Sequence, residues 1–167
     1  MKAVLALGAN LGDRGATLQT ALDGLAAQTQ VVVVSAIYET APVGGPPQPD
    51  FYNAVVLVDT TLSATGLLTV AQSLEAAAGR VRLEHWGPRT LDVDVLAYGD
   101  VRSDDPDLTL PHPRAHERAF VVLPWLEIEP DGAIVGRGTL ADLATVLGAE
   151  GLRRLDTPTL LTPGAVT

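Results

Sequence analysis

The stretch Gly87-Pro-Arg-Thr-Leu-Asp-Val-Asp-Val-Leu96 admits few structures. Gly87-Pro88 marks a turn, and an apolar run of Leu91, Val93, Val95 and Leu96 follows it. Asp92 and Asp94 are interleaved with that run. Successive side chains on a strand point to opposite faces, so the two carboxylates project together while Val93 and Val95 enter a core. Adjacent carboxylates repel unless something positive lies between them, and Mg²⁺ is typically held by one or two carboxylates plus substrate phosphates. Arg89, three residues before Asp92, adds a planar donor fork suited to phosphate oxygens. An edge strand with an acidic polar face is the plainer reading, and this segment alone leaves both open.

The charge balance narrows the choice. The chain carries 20 acidic and 11 basic residues, a net charge of −9, which argues against a general nucleic-acid binder. Ten of the eleven basic residues are Arg, and Lys2 is the only Lys. A P-loop and a protein-kinase fold each need a phosphate-binding Lys inside a motif; Lys2 lies in neither, so both are excluded. Arg80, Arg82, Arg89, Arg102, Arg114 and Arg118 fall within 39 positions, which marks a local anion site in an acidic protein. With 167 residues, 47% of them hydrophobic, the chain suits one packed domain over residues 1–167. No run of about 18 apolar residues suggests a membrane span, the N-terminal apolar run is too short for a signal peptide, and there is no Cys. A cytoplasmic monomer is the expectation.

Taken in order, Lys2 to Leu7 reads as a strand. Asp13 is placed to cap a helix running to about Gln28 with Leu18, Ala21, Leu22 and Leu25 as its apolar stripe. Val31 to Tyr38 is expected as one strand. The segment 40–50, with four Pro and two Gly in eleven residues, is a long loop, and long loops in compact domains are usually functional or disordered. Phe51 to Asp59 is a strand, and Leu62 to Gly79 a helix with Leu67, Leu68, Ala71 and Leu74 inward. An Arg-rich loop, the Asp-bearing strand and short extended pieces follow. Ala119 to Leu126 and Thr139 to Leu147 are expected as short helices, and the tail from Thr157 as loosely ordered. The order strand, helix, strand, strand, helix, strand predicts an α+β, ferredoxin-like split βαβ fold, a mostly antiparallel sheet with two helices packed on one face. The fold itself decides nothing about activity.

Phosphate recognition is expected from Arg82, Arg89 and Arg118, and metal binding from Asp92 and Asp94. Four of the seven aromatic residues, Phe51, Tyr52, Trp86 and Phe120, flank these segments, which suits a flat ring system stacked between aromatic faces, while each taken singly, Tyr52 above all, also fits as core filler. Asn53 shares a strand face with Phe51, where it reads the donor and acceptor edge of a heterocycle or satisfies a strand end. His112, between two prolines, is either structural or a phosphate partner. Gln72 and Glu75 share a helix face, and Glu75 also fits a solvated ion pair with Arg80 or Arg82. Gly8-Ala-Asn10 after a strand suggests a phosphate turn, though weakly as a motif.

These residues resemble a known family, the 6-hydroxymethyl-7,8-dihydropterin pyrophosphokinases, which move a diphosphate from ATP onto a pterin in folate biosynthesis. The likeness covers about residues 2 to 130. It is carried by His85-Trp-Gly-Pro-Arg-Thr-Leu-Asp-Val-Asp-Val-Leu96, supported by Leu7-Gly-Ala-Asn-Leu-Gly-Asp13, Tyr38-Glu-Thr-Ala-Pro-Val-Gly44, Phe51-Tyr-Asn-Ala54, Glu75 with Gly79-Arg-Val-Arg82, Pro111-His-Pro-Arg114 and Glu117-Arg-Ala-Phe120. The resemblance implies that Asp92 and Asp94 hold two Mg²⁺ ions bridging the ATP phosphates, and that Arg82 and Arg89 contact those phosphates during transfer. It implies nucleotide contacts from Gln72, Glu75, Thr109, His112 and Arg118. Thr40, Val43, Phe51, Asn53 and Phe120 form the pterin pocket by the same likeness, and Trp86 rides on a closing loop. His85 departs from the Arg common at its position, and Phe51 stands where Tyr is also common. Two rivals remain from the residues alone, a ligand-sensing domain without turnover and a metal-dependent nuclease. The first leaves the Arg/Asp signature unexplained, and the acidic surface counts against the second.

Overall fold

The computed structural model describes residues 1–42, 44–79 and 90–164. Its elements run β1 (Lys2–Ala9), α1 (Arg14–Ala26), β2 (Gln30–Val34), β3 (Tyr38–Thr40), β4 (Phe51–Asp59), α2 (Ala64–Ala77) and β5 (Asp92–Tyr98). A hairpin of β6 (Ser103–Asp105) and β7 (Leu108–Leu110) follows, then α3 (Ala119–Ile128), β8 (Ala133–Ile134), β9 (Gly138–Thr139), α4 (Leu140–Leu147) and β10 (Leu152–Arg154). The main sheet has the order β10-β3-β4-β1-β5, with β2 also pairing to β4, and every pair is antiparallel. This is the expected ferredoxin-like arrangement.

Local chemistry explains the helix starts. The Asp13 side chain accepts the Ala16 N–H at 3.0 Å, and Ser63 accepts the Gly66 N–H at 3.0 Å, each pairing a donor that the first helical turn leaves open. In α1, Leu18, Ala21, Leu22 and Leu25 are buried as the spacing predicts. In α2 the stripe is Leu67, Val70, Ala71 and Leu74 rather than one that includes Leu68. The two helices approach closely at Gly24, where a Cβ would lie 2.3 Å from Leu74 Cδ2.

Two expectations are corrected. The strand expected over 31–38 is broken at residues 35–37. There Ser35 replaces the ladder, its N–H donating to the Val55 carbonyl at 2.9 Å and its Oγ accepting the Val55 N–H at 2.9 Å. The tail from 157, expected to be loosely ordered, runs along α1 as far as 164. Leu160 is buried in the core and the Gln19 side chain bonds both the N–H and the carbonyl of Leu161. The two helices expected on one face of the sheet, α1 and α2, pack there, and α3 and α4 lie against the other.

Side-chain alternation divides the interior in two. Leu5 and Leu7 from β1, Ala54, Val56 and Val58 from β4, and Val93 and Val95 from β5 pack under α1 and α2. The other face presents Val4, Val55, Leu57 and Leu96 to α3 and α4, where Val121, Val122, Trp125 and Leu140 cover them. Along β1 this second face shrinks from Val4 through Ala6 to Gly8. Cover is therefore complete at one end of the face and absent at the other, and the space left over is the site.

Candidate active site

The register of the central strands sets the floor of that space. Gly8 pairs with Asn53 on one side and Asp92 on the other, and Ala6 pairs with Val55 and Asp94. Two small residues thus separate the carboxylates of β5 from the carboxamide of β4. A cavity of about 340 Å³ opens above them. Ala6, Gly8, Phe51, Asn53, Asp92 and Asp94 line its sheet side, Thr40, Ala41 and Gln48 one rim, and Arg114, Glu117, Arg118, Ala119, Phe120 and Val121 the opposite wall.

Each side chain is placed by its element. Asn53 is buried and its Nδ2 donates to the Tyr38 carbonyl at 3.2 Å. That bond leaves Oδ1 toward Gly8, where an added Cβ would lie 3.4 Å from it. Arg118 occupies the N-cap position of α3, and its guanidinium lies 5.7 Å from the Phe120 ring centroid. The Asn10 Nδ2 donates to Gln48 Oε1 at 2.8 Å and to the Pro49 carbonyl at 3.1 Å, which fastens the end of the 40–50 loop beside the cavity. β1 continues to Ala9, so Gly8 is cavity floor within a strand, and the phosphate-turn reading of Gly8-Ala-Asn10 is corrected.

Seven expected site residues meet at this cavity: Thr40, Phe51, Asn53, Asp92, Asp94, Arg118 and Phe120. Gln72, Glu75, Thr109 and His112 do not line it. Gln72 is exposed on α2. The Glu75 Oε1 accepts the Val93 N–H at 2.8 Å, between the two carboxylates of β5. Thr109 Oγ1 donates to the Asp105 carbonyl at 3.0 Å. The His112 Nδ1 accepts the Arg114 N–H at 3.2 Å. Burial lowers the His112 pKa below its ordinary 6.5, helped by Arg118 and Arg114 and opposed by Asp92. Val43, Arg82, Trp86 and Arg89 lie outside the described residues. Sequence reasoning missed Ala6, Gly8, Gln48, Arg114 and Glu117 as lining; the period-two descent in size along β1 was the available signal for the first two.

The family model for 7,8-dihydro-6-hydroxymethylpterin-pyrophosphokinase matches residues 4–130. The chain belongs to this family. A 2-amino-4-hydroxy-6-hydroxymethyldihydropteridine pyrophosphokinase of Methylorubrum extorquens is 45% identical over 157 residues, covering 93% of this chain and 99% of that protein. One from Pseudomonas aeruginosa is 39% identical over 153 residues, covering 90% of this chain and 94% of its own. Among solved structures, wild-type Plasmodium falciparum HPPK-DHPS with SDX-DHP aligns at a TM-score of 0.69 and 16% identity over 92% of this chain. The chain spans 47% of that longer protein, and the likeness speaks to the fold alone. All the cavity-lining residues fall inside the stretch that the pyrophosphokinase family model matches, whereas α4 and β10 lie beyond it. Among the described residues no helix is long and apolar enough to cross a membrane.

Proposed function

We propose that the chain transfers the diphosphate of ATP to the hydroxymethyl group of 6-hydroxymethyl-7,8-dihydropterin, releasing AMP, a step of folate biosynthesis. One observation carries this at the site. A single cavity holds two carboxylates beside a buried carboxamide, with an aromatic ring on either side. Phe51 and Phe120 flank a flat heterocycle, and aromatic faces favour offset stacking on such rings. Asn53, held through Nδ2, offers Oδ1 to a ring N–H. Thr40 and Val43 complete the pterin pocket. The hydroxymethyl oxygen then faces the carboxylate side of the cavity.

That oxygen attacks the β-phosphorus. The bond from the β-phosphorus to the oxygen bridging it to the α-phosphorus breaks, and this oxygen leaves with AMP while the hydroxyl proton is released. Transfers of this kind depend chiefly on alignment and on neutralising charge. Asp92 and Asp94 fit a pair of Mg²⁺ ions. Among the described residues no group of three or more acidic or imidazole side chains forms a cage, and Mg²⁺ bound through one or two carboxylates takes its remaining ligands from water and phosphates. When bound, the ions supply charge neutralisation and hold the phosphates. Arg82 and Arg89 contact the phosphates, Gln72, Glu75, Thr109, His112 and Arg118 bind the nucleotide, and Trp86 closes over it. These roles are supported by the likeness to the family across residues 4–130, of which residues 85–96 carry the signature. The protein acts as a cytoplasmic monomer, and its net charge of −9 supports a site for small molecules rather than nucleic acid.

Product analysis with ATP, Mg²⁺ and the hydroxymethyl pterin tests the reading. AMP formed only when pterin is present is the expected result. ADP in its place means single phosphoryl transfer, and nucleotide binding without turnover means a sensing domain.

A further inference from the structure

The two walls of the cavity belong to different parts of the chain. One is the first turn of α3, with Ala119, Phe120 and Val121; the other ends at Thr40 on β3. At the other end of α3, the Glu127 carboxylate joins them. Glu127 accepts the Tyr38 hydroxyl through Oε2 and the Ala36 N–H through Oε1 at 2.9 Å. Arg154 of β10 grips the same carboxylate with Nε at 3.1 Å and Nη2 at 3.4 Å. Arg154 is also the register partner of Tyr38, whose other neighbour across the sheet is Asn53. Tyr38 is therefore held at its hydroxyl by α3 and holds Asn53 through its carbonyl at 3.2 Å.

We propose that Glu127 is a positioning residue for pterin binding: with Tyr38 and Arg154 it fixes α3 against β3, and so sets the spacing of the cavity walls and the aim of Asn53. The inference rests on reading this cavity as the pterin site. It gives β10, which lies beyond the stretch matched to the family, a part in substrate recognition. Residues sharing one hydrogen-bond and ion-pair network act as a unit, so their effects on binding are coupled rather than additive.

The test uses the full-length protein with Mg²⁺ and a non-hydrolysable ATP analogue present. Tyr38→Phe removes one hydroxyl and keeps the ring and the carbonyl. Together with Arg154→Ala, Arg154→Lys and the Tyr38→Phe/Arg154→Ala double variant, it is measured for pterin Kd, nucleotide Kd and melting temperature. Expected is a roughly fivefold to tenfold weaker pterin affinity for Tyr38→Phe and for Arg154→Ala, within the range of coupled contacts. The double variant is expected to lose no more than the worse single one, Arg154→Lys to regain most of the loss, and nucleotide affinity to stay within about twofold. Equal loss for both ligands, or a lower melting temperature with both affinities kept, overturns the positioning role and leaves a clamp on stability only. Phe120→Ala separates the positioning role from the pterin cavity itself. Pterin affinity lost in Phe120→Ala but kept in Tyr38→Phe and Arg154→Ala overturns the positioning role alone; affinity kept in all three overturns the pterin cavity as well.

Discussion

Asp94 has a cavity in front of it and Ala6 beside it, and it contributes no apolar packing. Asp94→Ala is therefore expected to cut turnover by more than about 100-fold, beyond what loss of an outer contact to a metal costs, with a melting curve close to wild type. Retained activity would mean that the carboxylates do not hold the metal. His112 makes a different demand. Burial first, then the positive charges of Arg118 and Arg114, hold its folded pKa below 6.5 against the pull of Asp92. A folded pKa below the unfolded one means the unfolded chain takes up the proton first. Stability linked to His112 is thus full above pH 6.5, falls as the pH drops through that value, and levels off below the folded pKa. An NMR titration of the imidazole is expected to show a midpoint under 6.5 that moves up in Arg118→Ala.

At the scale of elements, β5 pairs with β1 along one edge, and on its other edge Glu75 accepts the Val93 N–H at 2.8 Å. An edge strand without such a partner exposes its backbone donors. Glu75→Ala is expected to speed amide exchange at Val93 by about fivefold, as loss of one hydrogen bond of ~1 kcal/mol implies; Glu75→Gln, which keeps an acceptor oxygen, is expected to restore protection. An unchanged exchange rate in Glu75→Ala would remove Glu75 as the support of this strand. Much of the element pattern was legible beforehand because it is local. The Asp13 cap, the α1 stripe and the alternation of Asp92-Val93-Asp94-Val95 each state a preference within a few residues. What escaped depends on distant partners. Nothing near Ser35 says that its hydroxyl will stand in for a ladder bond to Val55. Gly8 reads as a turn until β4 and β5 are known to lie on both sides of it. Leu160 looks like tail until α1 is seen to leave room for it.

Seen as a whole molecule, the sheet is insulated by α1 and α2 on one face and by α3 and α4 on part of the other, and its β3 edge is closed by the last strand. A chain ending at residue 150 would strip β10 from β3 and remove Leu155 and Leu160 from the core. Losing one buried Leu side chain costs about 2–5 kcal/mol, so denaturant melts of this truncated chain are expected to show a loss at least that large. Pterin binding is expected to weaken more than nucleotide binding, because β10 pairs with β3 at the cavity rim, whereas Gln72, Glu75 and Thr109, proposed for the nucleotide, lie on α2 and β7. Equal stability of the shortened and full chains would show that the terminal segment is dispensable.

The alternation on β5 has a further consequence for how this chain tolerates changes in length. Val93 and Val95 face the interior while Asp92 and Asp94 face the cavity, so chemistry and packing share one two-residue frame. A single codon inserted between Val93 and Asp94 would shift that frame by one, sending Asp94 into hydrocarbon and Val95 into the cavity. Substitutions here are free to damage one property at a time, but insertions and deletions must damage both. Length variation among functional relatives should therefore collect in the loops and end abruptly at this strand.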